Sequence, residues 1–504
     1  MASWWLGTWA AVLAAAGLAT EKDPPILTVQ LLQPPGRGFL FATAPLPEMK
    51  ARIVFNMPPA PAGWTAEASL ERPEGTVLAR KPLPLNRPEY LLTFPLPPLQ
   101  PDDQLYLRVV VRETAPPGRL LCQEVRTLRR LHPAWTEVTF DPHRTLLING
   151  QPFFPIGIDH SPPEELSRLA EMGFNCVGPD VHLTPEYAAA AEKAGLRVLS
   201  SVPAAADLTA TLREIGRFHH VLLGYSLFDE PQPDRQSREQ VQALCDQVAT
   251  VDGYHPTLGR NSDHFDTYAG TSDVMLVGSD PLPGPLQPLA ERLEAAVRAM
   301  AGRGPVWWVP RIWGWQAGEP PAGGRPPTFD EVRTVTWLGI VHGAQGIIYD
   351  AYPLQTFPMR RLPPATWRGL GYVGRELKAL SGFLIVPPVR RPATAYPPGL
   401  DLQARQREGE WFLIAVNRQD TPLVSRVTVP GLGDTCLAVI GEGRPVACAE
   451  GAFTDAFPPR TVHLYTTAPP PDLPPLAAVR AECEALEPPA RDRAERPPSL
   501  FPPR

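Results

Sequence analysis

From Leu146 onward the chain repeats a strand, helix, strand, helix rhythm that few folds can accommodate. Apolar runs at 155–160, 175–180, 197–202, 221–229, 257–262, 273–279, 304–312 and 345–350 have the length and continuity of buried strands. Helix-like segments at 163–172, 185–194, 235–250, 285–301 and 329–342 lie between them, while the link between the fifth and sixth runs is short. Eight strand-helix units in roughly 240 residues match the length of a (β/α)8 barrel. An open, doubly wound sheet is the alternative, but no Gly-x-Gly-x-x-Gly fingerprint follows any of these runs. The expected centre is therefore an α/β (β/α)8 TIM barrel over 141–385.

The flanks read differently. Residues 21–140 contain β-like runs such as Ala51-Arg52-Ile53-Val54-Phe55 and Leu105-Tyr106-Leu107-Arg108-Val109-Val110-Val111, separated by proline-rich turns and without a helical period. This predicts an N-terminal antiparallel β-sandwich. Strand signals return without helices over 386–467, including Trp411-Phe412-Leu413-Ile414-Ala415-Val416 and Thr461-Val462-His463-Leu464-Tyr465, and predict a smaller C-terminal sandwich. Residues 468–504 are proline-rich and charged and read as a flexible tail, in which only Leu476–Leu486 can form a short helix.

A chain of 504 residues fits two to four domains. Its 47 basic and 53 acidic side chains give a formal charge of −6, so no broad basic surface for nucleic acid is implied. The apolar run from Trp4 to Leu18 has the length of a signal-peptide core, and residues 1–20 are expected to be a secretion signal, with an uncleaved anchor or a short buried segment as alternatives. No other stretch reaches the ~18 unbroken apolar residues of a membrane span. The expected mature chain is secreted or extracytoplasmic and has no membrane span. Six cysteines, with no C-x-x-C pair, suggest neither a disulfide scaffold nor zinc. Cys436 and Cys448 are the pair close enough in sequence to staple a hairpin.

A barrel of this class carries its chemistry at the C-terminal ends of its strands. Val221-Leu222-Leu223-Gly224-Tyr225-Ser226-Leu227-Phe228-Asp229-Glu230-Pro231 is the clearest such end, an apolar run closing on two carboxylates and a proline. Asp-Glu-Pro also serves as a helix start, but its place at the end of the fourth strand favours a functional role for Glu230. The other strand ends offer Asp159 and His160, Asp180, Asp280, and Asp350. Tyr349 on the eighth strand and Trp313 and Trp315 after the seventh offer flat faces for stacking, and Arg311 can bind a carboxylate or neutralise an acidic rim.

The run Leu146-Leu147-Ile148-Asn149-Gly150-Gln151-Pro152-Phe153-Phe154-Pro155-Ile156-Gly157-Ile158 resembles the entry into the catalytic barrel of β-galactosidase and β-glucuronidase-type glycoside hydrolases, clan A-like enzymes. Gly224 to Pro231 and Pro327 to Tyr349 resemble segments of related secreted barrels, so that the resemblance covers roughly 146–466. It implies a carbohydrate partner, an O-glycosidic bond as the target, and Glu230 in the place of the family's acid/base. It implies no metal and no organic cofactor. Two departures stand out. Asp229 occupies the place where the clan has Asn, and the seventh strand, Pro305-Val306-Trp307-Trp308-Val309-Pro310-Arg311-Ile312, lacks the clan's nucleophilic Glu.

Glycoside hydrolysis requires a proton donor and a second carboxylate, ~5–5.5 Å away for retention and ~6.5–9.5 Å for inversion. Glu230 is the expected general acid, with Asp350, Asp280 or Asp180 as a base acting through water. Substrate assistance using the Asp229-Glu230 pair requires the chain to bend there, because neighbouring strand residues face opposite sides. A non-catalytic carbohydrate-binding barrel is the rival from another class.

Overall fold

A computed structural model describes residues 26–56, 63–203, 207–278, 284–312, 327–351 and 362–487. Backbone contacts divide the chain into two units: residues up to Ala134 with Phe140–Pro142, and Trp135–Thr139 with everything from His143. The secretion signal expected over 1–20 lies outside the described residues.

The first unit is all β. One sheet pairs Leu27–Gln33, Glu48–Phe55 and Glu89–Pro95, and a second runs in the order Phe39–Leu40, Leu120–Arg130, Gln104–Glu113, Trp64–Glu71, Val77–Leu83. Strand alternation builds its core. Leu105, Leu107, Val109 and Val111 are fully buried while the residues between them reach the outer face, as the period of two demands. Met49, Ala51, Ile53 and Phe94 supply the opposing side of the same core.

In the second unit the hairpin Leu146–Ile148 and Gln151–Phe153 leads into the barrel. Its two-residue turn, Asn149-Gly150, has φ of 49° and 76°, the left-handed pair that Asn-Gly adopts at low cost. Eight parallel strands follow: β1 Ile156–Ile158, β2 Cys176–Val181, β3 Arg197–Ser201, β4 Leu222–Asp229, β5 Thr257–Asn261, β6 Val274–Gly278, β7 Val306–Val309 and β8 Ile347–Tyr349. They form a closed barrel, sealed by the pairing of β8 with β1. Each strand coincides with one of the eight apolar runs of the sequence.

The helices around the barrel are α1 Leu166–Glu171, α2 Pro185–Ala194, α3 Leu208–Gly216, α4 Arg238–Val251, α5 Phe265–Tyr268, α6 Leu286–Met300, α7 Phe329–Val341 and α8 Pro364–Leu384. Local chemistry starts several of them: Ser237 with Gln240 and Thr328 with Glu331 make reciprocal capping boxes on α4 and α7. Inside the barrel, Gly157 lets Ile348 and Cys176 meet, since a Cβ there would lie 2.4 Å from the Ile348 methyl. No described helix is long and apolar enough to cross a membrane.

After α8 the chain forms two antiparallel sheets, one of Thr394–Tyr396, Leu423–Thr428 and Ala452–Phe457, the other of Leu400–Arg407, Glu410–Asn417, Thr461–Thr466, Thr435–Val439 and Arg444–Cys448. A buried ion pair ties them to the barrel helices. Arg333 of α7 donates to both oxygens of Glu376 in α8 and, through Nη1, to the carbonyl of Val462 at 2.8 Å, while Trp337 Nε1 donates to Glu376 at 2.7 Å.

Two expectations are corrected here. Cys436 and Cys448 are not bridged: Cys436 stands opposite Ala447 and Cys448 opposite Thr435, and this one-residue offset sends the two side chains to opposite faces of the hairpin, Cys436 exposed and Cys448 buried. Residues 476–486 are not part of a free tail. They form α9 Leu476–Leu486, whose Leu476, Val479 and Cys483 are spaced to make one apolar stripe and are buried, with Arg480 gripping Asp330 of α7 through two nitrogens and Arg368 of α8 pairing with Glu482.

Candidate active site

The site is assembled where β1, β2, β4, β5 and β8 end. On β1, Ile158 faces the helical layer and alternation turns Asp159 inward. Asp159 is completely buried, and both of its oxygens accept hydrogen bonds: Oδ1 from the backbone N–H of His160 at 2.8 Å and of Asp180 at 3.0 Å, and Oδ2 from Arg260 Nη2 at 2.5 Å. Arg260 arises from β5 and crosses the barrel to reach it. The same guanidinium lies 3.7 Å from Asp180 Oδ2 and 3.6 Å from Asp229 Oδ1.

His160 completes the cluster. Its backbone is left-handed, with φ of 51°, and its ring stands between two carboxylates, Nδ1 3.3 Å from Asp159 Oδ1 and Nε2 3.4 Å from Asp180 Oδ2. Neither ring nitrogen is aligned for a hydrogen bond.

The charges act on one another. Burial opposes ionisation of Asp159, but Arg260 and His160 overcome it and hold the carboxyl well below the usual range. Asp180 goes the other way: burial first, then the adjoining Asp159, push it up to about 6 against the pull of Arg260 and His160. For His160, burial disfavours the charged ring, yet Asp159, Asp180 and Asp350 outweigh it and raise the pKa. Asp159, His160 and Asp180 stand close enough to share a cation, their ligand atoms lying within 4.8 Å of one another. Here Asp159 and Asp180 share the Arg260 guanidinium, which a metal would have to displace from Asp159.

Glu230 follows β4 with φ of 48°, so the chain bends between Asp229 and Glu230. The bend sends Asp229 toward Arg260 and Glu230 across the end of β5, where Ser262 donates its N–H to Oε2 at 2.8 Å and its hydroxyl to Oε1 at 2.5 Å. Gly278, closing β6, leaves room for this arrangement, because a Cβ there would lie 2.7 Å from Ser262 Oγ. Asp350, after β8, is bridged by backbone to Arg311, and Arg311 Nε lies 3.4 Å from its carboxylate.

Of the residues singled out in the sequence, Asp159, His160, Asp180 and Asp229 are brought together around Arg260. Asp350 faces the same cluster through its charge, and Glu230 lies at the adjoining rim. Tyr349 is corrected: it is fully buried on the outer side of β8, its hydroxyl 2.6 Å from Thr336 in α7, and has no face for a ligand. Asp280, Trp313 and Trp315 lie outside the described residues. Sequence reasoning missed Arg260 and Ser262. The signal for Arg260 was legible, a lone charge inside the short strand Thr257-Leu258-Gly259-Arg260-Asn261 that is otherwise sealed from water.

No family model and no curated protein matches the chain. Among solved structures, a β-glucuronidase of Parabacteroides merdae with glycerol in its active site is similar at 11% identity, over 88% of this chain and 74% of that chain, with a TM-score of 0.35. A putative β-galactosidase of Bacteroides fragilis is similar at 13% identity over 86% and 73%, TM-score 0.37. An α-amylase of Geobacillus thermoleovorans complexed with acarbose is similar at 12% identity over 60% and 90%, TM-score 0.43. At these TM-scores the likenesses carry no argument beyond what the closed barrel itself provides.

Proposed function

We propose that this chain is a glycoside hydrolase that cleaves an O-glycosidic bond of an oligo- or polysaccharide outside the cytoplasm, with Asp180 as general acid and Asp229 as the base that activates water. The observation that carries this reading is the pair of carboxyl groups on one guanidinium. Asp180 is protonated at mildly acidic pH because burial and Asp159 push it up to about 6, the range in which a carboxylic acid delivers a proton. Asp229, with 58% of its side chain exposed, is open to water. Both touch Arg260, so their nearest oxygens are at most about 10 Å apart, within reach of the separation that inversion uses. Asp159 is a poor nucleophile or base, since Arg260 and two backbone N–H groups hold its oxygens and no solvent reaches it.

This reading moves the acid from Glu230 to Asp180. A second reading keeps Glu230 as the acid, favoured by the left-handed bend that frees it from the strand and by Ser262, which fixes its carboxyl at the rim. Release of the chromophore from a panel of aryl glycosides by the full chain, D180N and E230Q separates the two. The first reading expects D180N to lose at least about a hundredfold in kcat while E230Q retains more. The reverse order supports Glu230. If the native chain cleaves none of the panel and no oligosaccharide, yet binds sugar, the hydrolase reading falls and a binding barrel replaces it.

A further inference from the structure

Glu230 is fastened to β5 through both its backbone and its side chain. Its N–H donates to the carbonyl of Arg260 at 3.0 Å, one step beyond the pairing of Asp229 with Arg260. Its carboxyl takes both donors of Ser262, the N–H at 2.8 Å on Oε2 and the hydroxyl at 2.5 Å on Oε1. With Asp180 as acid and Asp229 as base, this fixed carboxyl has no part in the proton transfers. We infer that Glu230 determines specificity, its two oxygens accepting hydrogen bonds from two neighbouring hydroxyls of the sugar ring being cleaved, with Ser262 as the positioning residue that holds them ready; this rests on the reading of Asp180 and Asp229 as acid and base.

A carboxylate offers about four acceptor sites. Ser262 fills one on each oxygen, and among the described residues no other donor bonds to the carboxyl, so each oxygen keeps an acceptor for a ligand. The residue is half-buried, not sealed. Its left-handed φ of 48° is unfavourable for a residue with a side chain, and it is this turn that carries the carboxyl off β4 and across the end of β5. Gly278 makes the room: a Cβ there would lie 2.7 Å from Ser262 Oγ and 3.5 Å from Glu230 Oε1. Side chain, backbone and neighbouring strand thus fix one carboxyl in one orientation, as recognition of a rigid ligand requires.

The chemistry of the ligand follows from the pair of acceptors. Two oxygens side by side bind two parallel donors, and neighbouring hydroxyls on one face of a pyranose supply them. Hydroxyls that point to opposite faces of the ring cannot both reach. Asp229, one residue earlier, activates the water that attacks the anomeric carbon, so the ring beside Glu230 is the one that carries that carbon.

The test uses an aryl glycoside that the native chain cleaves, together with forms lacking one or two ring hydroxyls. With the native chain, two monodeoxy forms altered at neighbouring positions should each fall about tenfold to a hundredfold in kcat/KM. E230Q should lose at least about as much on the complete sugar, mainly through KM, but within about twofold of nothing on the form lacking both hydroxyls, where the bonds are already gone. S262A keeps the backbone donor and should show a smaller loss with the same dependence on those two hydroxyls; it carries the test if E230Q fails to fold. Losses that are equal on every form, or a native chain indifferent to each deoxygenation, would overturn the inference and leave the hydrolase in place. A fall in kcat of E230Q that shrinks as the departing phenol becomes more acidic would make Glu230 the acid and overturn it too. A native chain inactive toward every glycoside overturns the hydrolase reading and this inference with it.

Discussion

Arg260 of β5 spans the mouth of the barrel to donate a 2.5 Å hydrogen bond to Asp159, the fully buried carboxylate after β1. The pair joins opposite walls of a closed sheet, and Asp180, Asp229 and His160 are arranged around it. Removing Arg260 alone leaves the Asp159 charge where water cannot reach.

Arg260→Leu should therefore cost about 3–5 kcal/mol of stability at neutral pH, measured by urea unfolding. The loss should shrink toward acid as Asp159 becomes protonated. The double variant R260L/D159N should be less damaged than the two single losses added together, because no buried charge is left over.

The two aspartates give stability profiles of opposite sign. Asp159, with its folded pKa held low, contributes stability that is fully present above the unfolded value of about 3.9 and is lost as pH falls below it. Asp180, raised to about 6, contributes stability that is present below about 3.9 and lost as pH rises through 6. D180N should remove this second slope, which is on the order of 2 kcal/mol between pH 4 and pH 7, in a series of urea melts.

Activity should follow the same group. An acid that must be protonated predicts a kcat that declines as pH rises through about 6. The alkaline limb should shift when Asp159 is replaced by Asn, since the neighbouring negative charge is one of the two causes that raise Asp180. A pH-rate profile of D159N, provided that it folds, would show the limb moving to lower pH.

Glu376→Ala should destabilise by about 3–5 kcal/mol in denaturant unfolding, because Arg333 is left charged and completely buried beneath Val462. Replacing both Arg333 and Glu376 by Met should cost much less than the sum of the single replacements.

The chain should carry six free thiols. Reaction with a thiol reagent in denaturant without reductant should count all six, and dithiothreitol should leave the melting temperature unchanged. A count of four would show a bridge and overturn this expectation; the register of the Thr435–Val439 and Arg444–Cys448 hairpin speaks against Cys436–Cys448 as its place.

The barrel was legible in the sequence because strand and helix periodicity are local properties, and eight repeats of the unit leave little freedom of architecture. Asp159, Asp180, Asp229 and Asp350 were legible for a related reason: a carboxylate ending an apolar run has few places to go except the rim. Tyr349 was misplaced because an aromatic residue at a strand end can face the mouth or the helices, and the register of the strand decides which. Only the tertiary structure set Arg260 against Asp159, residues from opposite walls of the barrel that meet because the closed sheet brings their ends together. It also divided the labour among the carboxylates. A side chain's readiness to give up a proton depends on burial and on the charges beside it, and those neighbours come from strands far apart in the chain.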